Sequence, residues 1–110
     1  MKQSRRATHE VEVVAGGIRI RVTGEIDLAV ASDLQSWIAE GIAAHQASQA
    51  EVDLSAVTFL DSTGIRALVL AQRAANDVGA VMWISGVRSR VEMVLRLTGV
   101  FGLLTTPAGG

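Results

Sequence analysis

The chain has 110 residues, the length of one domain with a single hydrophobic core. Hydrophobic residues make up 49% of it and charged residues 19%, a composition that excludes a disordered chain. Ten basic against eleven acidic residues leave a net charge of −1, which gives no electrostatic case for direct nucleic-acid binding. The absence of cysteine excludes disulfides, thiolate metal sites and a cysteine nucleophile.

Both ends of the chain lack hydrophobic periodicity. Residues 1–8 are predicted to be a flexible arm, and residues 106–110 a flexible tail, which leaves one domain at 9–105. The arm is basic but no apolar segment follows it, so it does not resemble a secretory signal. No apolar run approaches the roughly 20 residues that a membrane span needs. We therefore expect a cytoplasmic domain that does not bind membranes.

Two alternating apolar runs on either side of Gly16-Gly17 predict a β-hairpin, with the glycines in its turn: Val11 and Val13 before it, and Ile18, Ile20 and Val22 after it. The same glycines could begin a phosphate-binding loop. The Lys and Ser/Thr of that motif do not follow, so the hairpin turn is the favoured interpretation.

A helix is predicted after Asp27, which is placed to cap its N-terminus. One face of this helix is apolar at spacings of three and four residues: Val30, Leu34, Trp37, Ile38, Gly41 and Ile42, continued by His45. Trp37 is expected in the core.

The central stretch of the chain changes from strand to helix periodicity. Val52 and Leu54 alternate with polar residues, and helical spacing begins at Ile65 and ends near Gly79, a suitable left-handed cap. The turn Leu60-Asp61-Ser62-Thr63-Gly64 joins the two elements. Its side-chain oxygens are of the kind that cap helices, so the turn places a hydroxyl, Ser62 or Thr63, at a helix N-terminus beside a carboxylate.

The last third of the chain is predicted to form a strand, a helix and a short strand. Residues 80–84 are almost continuously apolar, as in an interior strand covered on both faces. A third helix ends at Gly99, and residues 100–104 are expected to form a short edge strand. This order of elements predicts an α/β fold, with a mixed sheet of four to five strands and about three main helices packed against it.

The sequence does not favour an enzyme. A phosphoryl-accepting site would need a positioned lysine beside carboxylates such as Asp53 and Asp61, and the chain has only Lys2. A nucleophilic Ser62 would need a histidine base, but His45 is expected at the far end of another helix, and the turn is not the Gly-x-Ser-x-Gly elbow. Two histidines without cysteine also predict no metal site and no cofactor.

Two interpretations of Ser62 remain open from the local sequence. It could be only a helix cap, worth roughly 1 kcal/mol. Alternatively it could be a phosphorylation switch, because a phosphate adds about −1.5 to −2 charges and a helix N-terminus tolerates an anion. In the second case the effect would fall on a docked partner.

Four ordered blocks resemble the STAS domain family, and among its members the stand-alone bacterial anti-sigma factor antagonists. The blocks are Gly24-Glu25-Ile26-Asp27, the stretch from Val52 through Thr63-Gly64-Ile65, Gly79 with the strand after it, and Val94-Leu95-Arg96-Leu97-Thr98-Gly99.

This resemblance implies the STAS fold and a partner-switching mechanism. An antagonist of this kind binds an anti-sigma factor that is also a serine kinase with a GHKL-type ATP-binding fold, and sigma factor is released. The kinase then phosphorylates the serine after the motif aspartate, here Ser62, and a PP2C-type phosphatase reverses the modification. Thr63 is a weaker alternative acceptor. The partner-binding residues implied are Glu25, Asp27, Asp61, Ser62, Thr63, Gly64 and Arg66.

A short STAS chain also resembles the accessory subunit of some bacterial lipid-transporting ABC systems. There the domain steadies the ATPase and its serine need not be modified. The intact Asp61-Ser62 pair favours the phosphorylation switch.

Overall fold

The computed structural model describes residues 7–107, which form an α/β domain of four strands and four helices. In chain order these are β1 (Ala7–Val14), β2 (Gly17–Ile26), α1 (Leu28–His45), β3 (Gln49–Leu60), α2 (Ser62–Asp77), β4 (Val81–Ser85), α3 (Ser89–Leu97) and α4 (Phe101–Thr105).

The strands form one mixed sheet in the order β1-β2-β3-β4. The predicted hairpin is confirmed, since β1 and β2 pair antiparallel around Gly16, whose φ of 85° is one that glycine adopts without strain. β2 pairs with β3, and β3 with β4, in parallel, because a helix returns the chain to the same end of the sheet each time. The α/β prediction with a mixed sheet is therefore confirmed.

Alternation along the strands separates an apolar face from a polar one. Ile18 and Ile20 of β2 are buried below Gly41 of α1, where a Cβ would lie only 3.2 Å from Ile18 Cδ1. The intervening positions carry charges that pair between strands: Arg19 with Glu51 at 3.3 Å, and Arg21 with Asp53 at 3.4 Å. The sheet thus buries one row of side chains under the helices and satisfies the other by cross-strand ion pairs.

Trp37 has its predicted place in the core, with 7% of its surface exposed. Its ring stacks on His9 of β1, with centroids 4.4 Å apart and planes 13° from parallel, and this contact packs the edge strand against α1. His45 does not continue the buried stripe as predicted. It lies in the last turn of α1 and is exposed, and Ile42 is the last buried residue of the helix.

The predicted limits of the domain need one correction. β1 begins at Ala7, which is only 2% exposed, so Ala7 and Thr8 belong to the sheet rather than to an N-terminal arm. Their pairing with Gly24 and Thr23 holds them there, although their sequence has no apolar alternation. Residues 1–6 and 108–110, the remainder of the predicted arm and most of the predicted tail, lie outside the described residues.

The strand at residues 80–84 was expected in the sheet interior, and this is wrong. β4 is the edge strand next to β3. Its burial alternates, with Met82 and Ile84 buried and Trp83 half-buried. The partial cover of Trp83 explains why the whole segment is apolar although only one face lies in the core.

The edge strand predicted at residues 100–104 is also wrong, because this segment contains helix α4. Leu104 is fully buried, and Gln72 of α2 donates from Nε2 to the carbonyl oxygens of Met82 and Leu103, both at 3.0 Å. A single buried amide therefore joins β4 to α4. The sheet has four strands, the lower end of the predicted range, with three main helices and the short α4.

Gly64 in the first turn of α2 is buried against the ends of two strands. A Cβ at this position would lie 2.5 Å from Leu60 Cδ1 and 2.8 Å from Ile26 Cγ2. Glycine therefore allows the start of α2 to lie directly on the ends of β2 and β3.

We expect Gly64→Ala to lower the free energy of unfolding by about 1–3 kcal/mol, the usual cost of overpacking a core. Gly102→Ala is the matched control, because a Cβ in α4 meets no heavy atom within 4 Å and should be neutral or mildly stabilising. Urea unfolding of both variants measures the difference. Equal midpoints for the two variants would show that the close approach at Gly64 imposes no constraint.

Candidate functional site

Two aspartates lie side by side where neighbouring parallel strands end. Ile26 and Leu60, the last residues of β2 and β3, are paired across the sheet, and Asp27 and Asp61 follow them directly. The N–H of Asp61 donates to the carbonyl of Ile26 at 3.2 Å, which fixes the two chain segments together. The sequence predicted both aspartates as site residues, and the parallel pairing of the strands brings them together.

Each of these aspartates caps the helix that follows it. Asp27 accepts from the N–H of Ala29 at 3.0 Å, which confirms the predicted N-cap of α1. Asp61 Oδ1 accepts from the N–H groups of Thr63 at 3.0 Å and Gly64 at 3.1 Å, and also from the Thr63 hydroxyl. The positive ends of two helix dipoles therefore meet at this edge of the sheet.

Asp61 is held in its ionised form. Partial burial opposes ionisation, but the hydrogen bonds from the Thr63 hydroxyl and from the N–H groups of Gly64 and Thr63 outweigh it, so the pKa of the carboxyl lies below its usual value. The first turn of α2 thus carries a fixed negative charge at neutral pH.

Ser62 is the first residue of α2 and its side chain is exposed. Asp61, not Ser62, caps the helix, so the interpretation of Ser62 as the cap is wrong. Within residues 7–107 no hydrogen-bond partner is found for the Ser62 hydroxyl, whereas the hydroxyl of half-buried Thr63 donates to Asp61. Of the two candidate hydroxyls, therefore, only that of Ser62 is exposed and makes no hydrogen bond within residues 7–107.

A shallow depression of about 540 Å³ opens beside the two caps. Its walls come from β2, β3, α3 and the segments that follow the strands: Glu25, Asp27, Thr58, Phe59, Asp61 and Arg90. Three carboxylates line one depression, and an aromatic ring that is 45% exposed lies among them. Such a rim combines charge for orientation with an apolar contact for affinity.

Sequence reasoning missed three residues of this depression: Thr58, Phe59 and Arg90. The alternation of β3 is interrupted by two register shifts against β2, the second between Gly24 and Glu25, so the sequence pattern did not fix the face on which Phe59 lies; it is exposed. Arg90 belongs to α3, which is remote in sequence, so no local pattern could have placed it here.

The remaining predicted residues divide between surface and interior. Glu25 lines the depression, and Arg66 is exposed on α2 one helical turn after Ser62. Gly64 is buried, so its place is beneath the surface, where it supports the two caps.

Over residues 7–107, no cluster of three or more potential metal ligands occurs, and no helix is long and apolar enough to cross a membrane. The charged and aromatic depression and the exposed hydroxyl of Ser62, which follows Asp61 directly, are the features that this edge of the sheet presents.

The chain belongs to the STAS domain family, whose model matches residues 8–108. The resemblance inferred from the four sequence blocks is confirmed. Among curated proteins it is similar to an anti-sigma F factor antagonist of Paenibacillus polymyxa, with 24% identity over 95 residues, 86% of this chain and 81% of the relative.

Three solved structures have the same fold. An anti-sigma factor antagonist from Mycobacterium paratuberculosis is 29% identical, with a TM-score of 0.71 over 93% of this chain and 86% of its own. The anti-sigma factor antagonist SpoIIAA in its unphosphorylated form is 20% identical, with a TM-score of 0.73 over 92% of this chain and 88% of its own. A Bacillus SpoIIAA structure in the phosphorylated form is 19% identical, with a TM-score of 0.65 over 92% of this chain and 91% of its own.

We expect Asp61→Ala to cost about 1 kcal/mol of stability at neutral pH, because it removes the N-cap of α2. Asp61→Asn retains an acceptor oxygen and should cost less. The lowered pKa of Asp61 means that its carboxylate stabilises the fold above the pKa of the unfolded chain, about 3.9, and that this contribution is lost as pH falls through the lower native pKa.

Denaturation of wild type and Asp61→Asn between pH 7 and pH 2 measures this contribution. The stability difference should be constant above about pH 5 and should shrink toward zero in acid. A difference that stays the same down to pH 2 would show that the charge of Asp61 is not stabilised by the fold.

Proposed function

We propose that this chain is an anti-sigma factor antagonist that is switched by phosphorylation of Ser62. In the unmodified form it binds an anti-sigma factor that is also a serine kinase with a GHKL-type ATP-binding fold, and sigma factor is released. The kinase transfers the γ-phosphoryl group of ATP to Ser62 Oγ, the serine proton is lost, and ADP leaves. The modified chain then dissociates from the kinase.

Membership of the STAS family and the names of its relatives support this proposal. The observation that supports Ser62 as the phosphorylated residue is that its side chain is exposed, because Asp61 and not Ser62 caps the helix. A hydroxyl with no role in the fold can be modified without destabilising it.

The location of Ser62 explains why a phosphate there would act on the partner and not on the fold. The group adds about −1.5 to −2 charges at neutral pH next to the ionised Asp61, which lines one depression with Asp27 and Glu25. A partner surface that complements three carboxylates would meet up to about two further negative charges and a bulky solvated group. Its affinity falls because the phosphate must be desolvated or displaced.

The surface that we assign to the partner is built around Ser62. Glu25, Asp27 and Asp61 supply negative charge, Thr63 and Arg66 lie on the first turns of α2, and Gly64 supports this turn from below. Phe59 adds an exposed aromatic ring. Aromatic side chains of this kind are frequent energetic centres of protein interfaces.

The remaining parts of the proposal follow from the switch. A PP2C-type phosphatase would restore the serine, the chain itself would act as a binding module rather than an enzyme, and neither nucleic acid nor a membrane would be a direct partner. The proteins of this exchange are cytoplasmic, so we place the chain there.

We expect Ser62→Asp to fold normally and to lose at least about tenfold in affinity for its kinase, or about 1.4 kcal/mol. Ser48→Asp is the matched control, since Ser48 is also exposed but precedes β3 at the opposite end of the sheet. Wild type and both variants would be used as baits on lysate of the host, the captured kinase identified by mass spectrometry, and its affinity for each measured by calorimetry.

Capture of a GHKL-type kinase by wild type and Ser48→Asp, but not by Ser62→Asp, supports the switch. Equal affinity of that kinase for all three chains contradicts it. Capture of an ABC ATPase equally by all three would instead support the transporter-accessory function.

We also expect Ser62→Ala to bind the kinase and to accept no phosphate from labelled ATP. Thr63→Ala should still be labelled, because the Thr63 hydroxyl is half-buried and donates to Asp61, and it is therefore a poor acceptor. If Ser62→Ala is still labelled, and the label disappears when Thr63→Ala is added to it, then the phosphate acceptor is Thr63.

A further inference from the structure

Ser62 and Arg66 are neighbours on the exposed side of α2. Residues four apart on a helix have Cβ atoms about 5–6 Å apart on the same face, and both of these side chains are exposed. In the part of the chain that the structure describes, Arg66 forms no ion pair, unlike Arg19, Arg21 and Arg96. Arg66 is therefore a cation within reach of any group attached to Ser62 Oγ.

A phosphate at this position cannot rely on the usual anion site of a helix. The N–H groups at the start of a helix normally bind phosphate. Here Asp61 Oδ1 already accepts from the N–H groups of Thr63 and Gly64. The phosphate would lie beside this carboxylate and would need a positive charge from another side chain.

Two exposed arginines compete for that role. Arg90 belongs to α3 and lines the depression with Glu25, Asp27 and Asp61, although within residues 7–107 it forms no ion pair with them. Arg66 is not among the residues that line the depression. Its distance from Ser62 is set by the backbone of one helix and does not depend on a contact between elements.

We propose that Arg66 binds the phosphate on Ser62, so that one modification changes two charges at the partner surface. Phosphorylation adds a dianion, and it also withdraws the cation that the unmodified chain offers to a partner. This inference rests on the proposed phosphorylation of Ser62. Arg66 would be the residue through which the added phosphate also changes the position of a positive charge at the partner surface.

The second ionisation of the phosphate measures the pairing directly. Phosphoserine would be installed at position 62 of the full chain during translation, without any kinase, and the phosphate would be titrated by ³¹P NMR. A paired cation favours the dianion, so we expect Arg66→Gln to raise the second pKa by about 0.3 units or more. Arg66→Lys should retain part of the effect. Arg90→Gln and Arg73→Gln, the latter near the other end of α2, should leave the pKa unchanged.

Arg66 is excluded as the phosphate partner if Arg66→Gln titrates like the parent chain, or if Arg90→Gln alone raises the pKa. Affinity of the captured kinase for the same phosphorylated samples reports separately on the proposed function. A pKa that depends on Arg66, together with undiminished kinase affinity, would support the pairing and contradict the switch.

Discussion

The parallel pairing of β2 with β3 is the constraint on which the site depends. It places Ile26 and Leu60 side by side, and therefore brings two N-capping aspartates, which are 34 positions apart in the numbering of this chain, to one edge of the sheet. The bond from the Asp61 N–H to the Ile26 carbonyl continues this pairing one residue beyond the strands. Gly64 then allows α2 to begin directly on the strand ends. In this arrangement Asp61 both caps α2 and lines the depression with Asp27.

Burial divides this edge into a structural layer and an exposed layer. Asp61, Thr63 and Gly64 form the first: the carboxylate satisfies the free N–H groups of the helix, and each member is at least partly buried. Ser62 and Arg66 form the second, because their positions in the helical turn point them to solvent. A helix whose cap is supplied by the preceding residue does not need the serine hydroxyl for stability. The hydroxyl at the first helical position therefore remains accessible to another protein.

Much of this arrangement could be predicted because it is encoded locally. The hairpin follows from alternation around Gly16-Gly17, and the cap of α1 follows from Asp27 before a helical apolar stripe. The errors came from long-range packing. The segment at 100–104 has the short apolar composition of a strand, but Gln72 and the buried Leu104 hold it as a helix against α2 and β4. Likewise Arg90 and Phe59 belong to the depression only through the position of α3 and a register shift between β2 and β3.

The two layers also bear on which part of the protein a phosphate on Ser62 would affect. The residues beneath Ser62 are held by hydrogen bonds to Asp61 and by the close packing of Gly64 on Leu60 and Ile26. A phosphate on the exposed Ser62 would place its charge and bulk at the surface, above these residues. A partner detects the change only if it contacts the edge where β2 and β3 end. The proposed switch therefore needs only a change of charge and bulk at the exposed layer, above a turn whose hydrogen bonds are already satisfied.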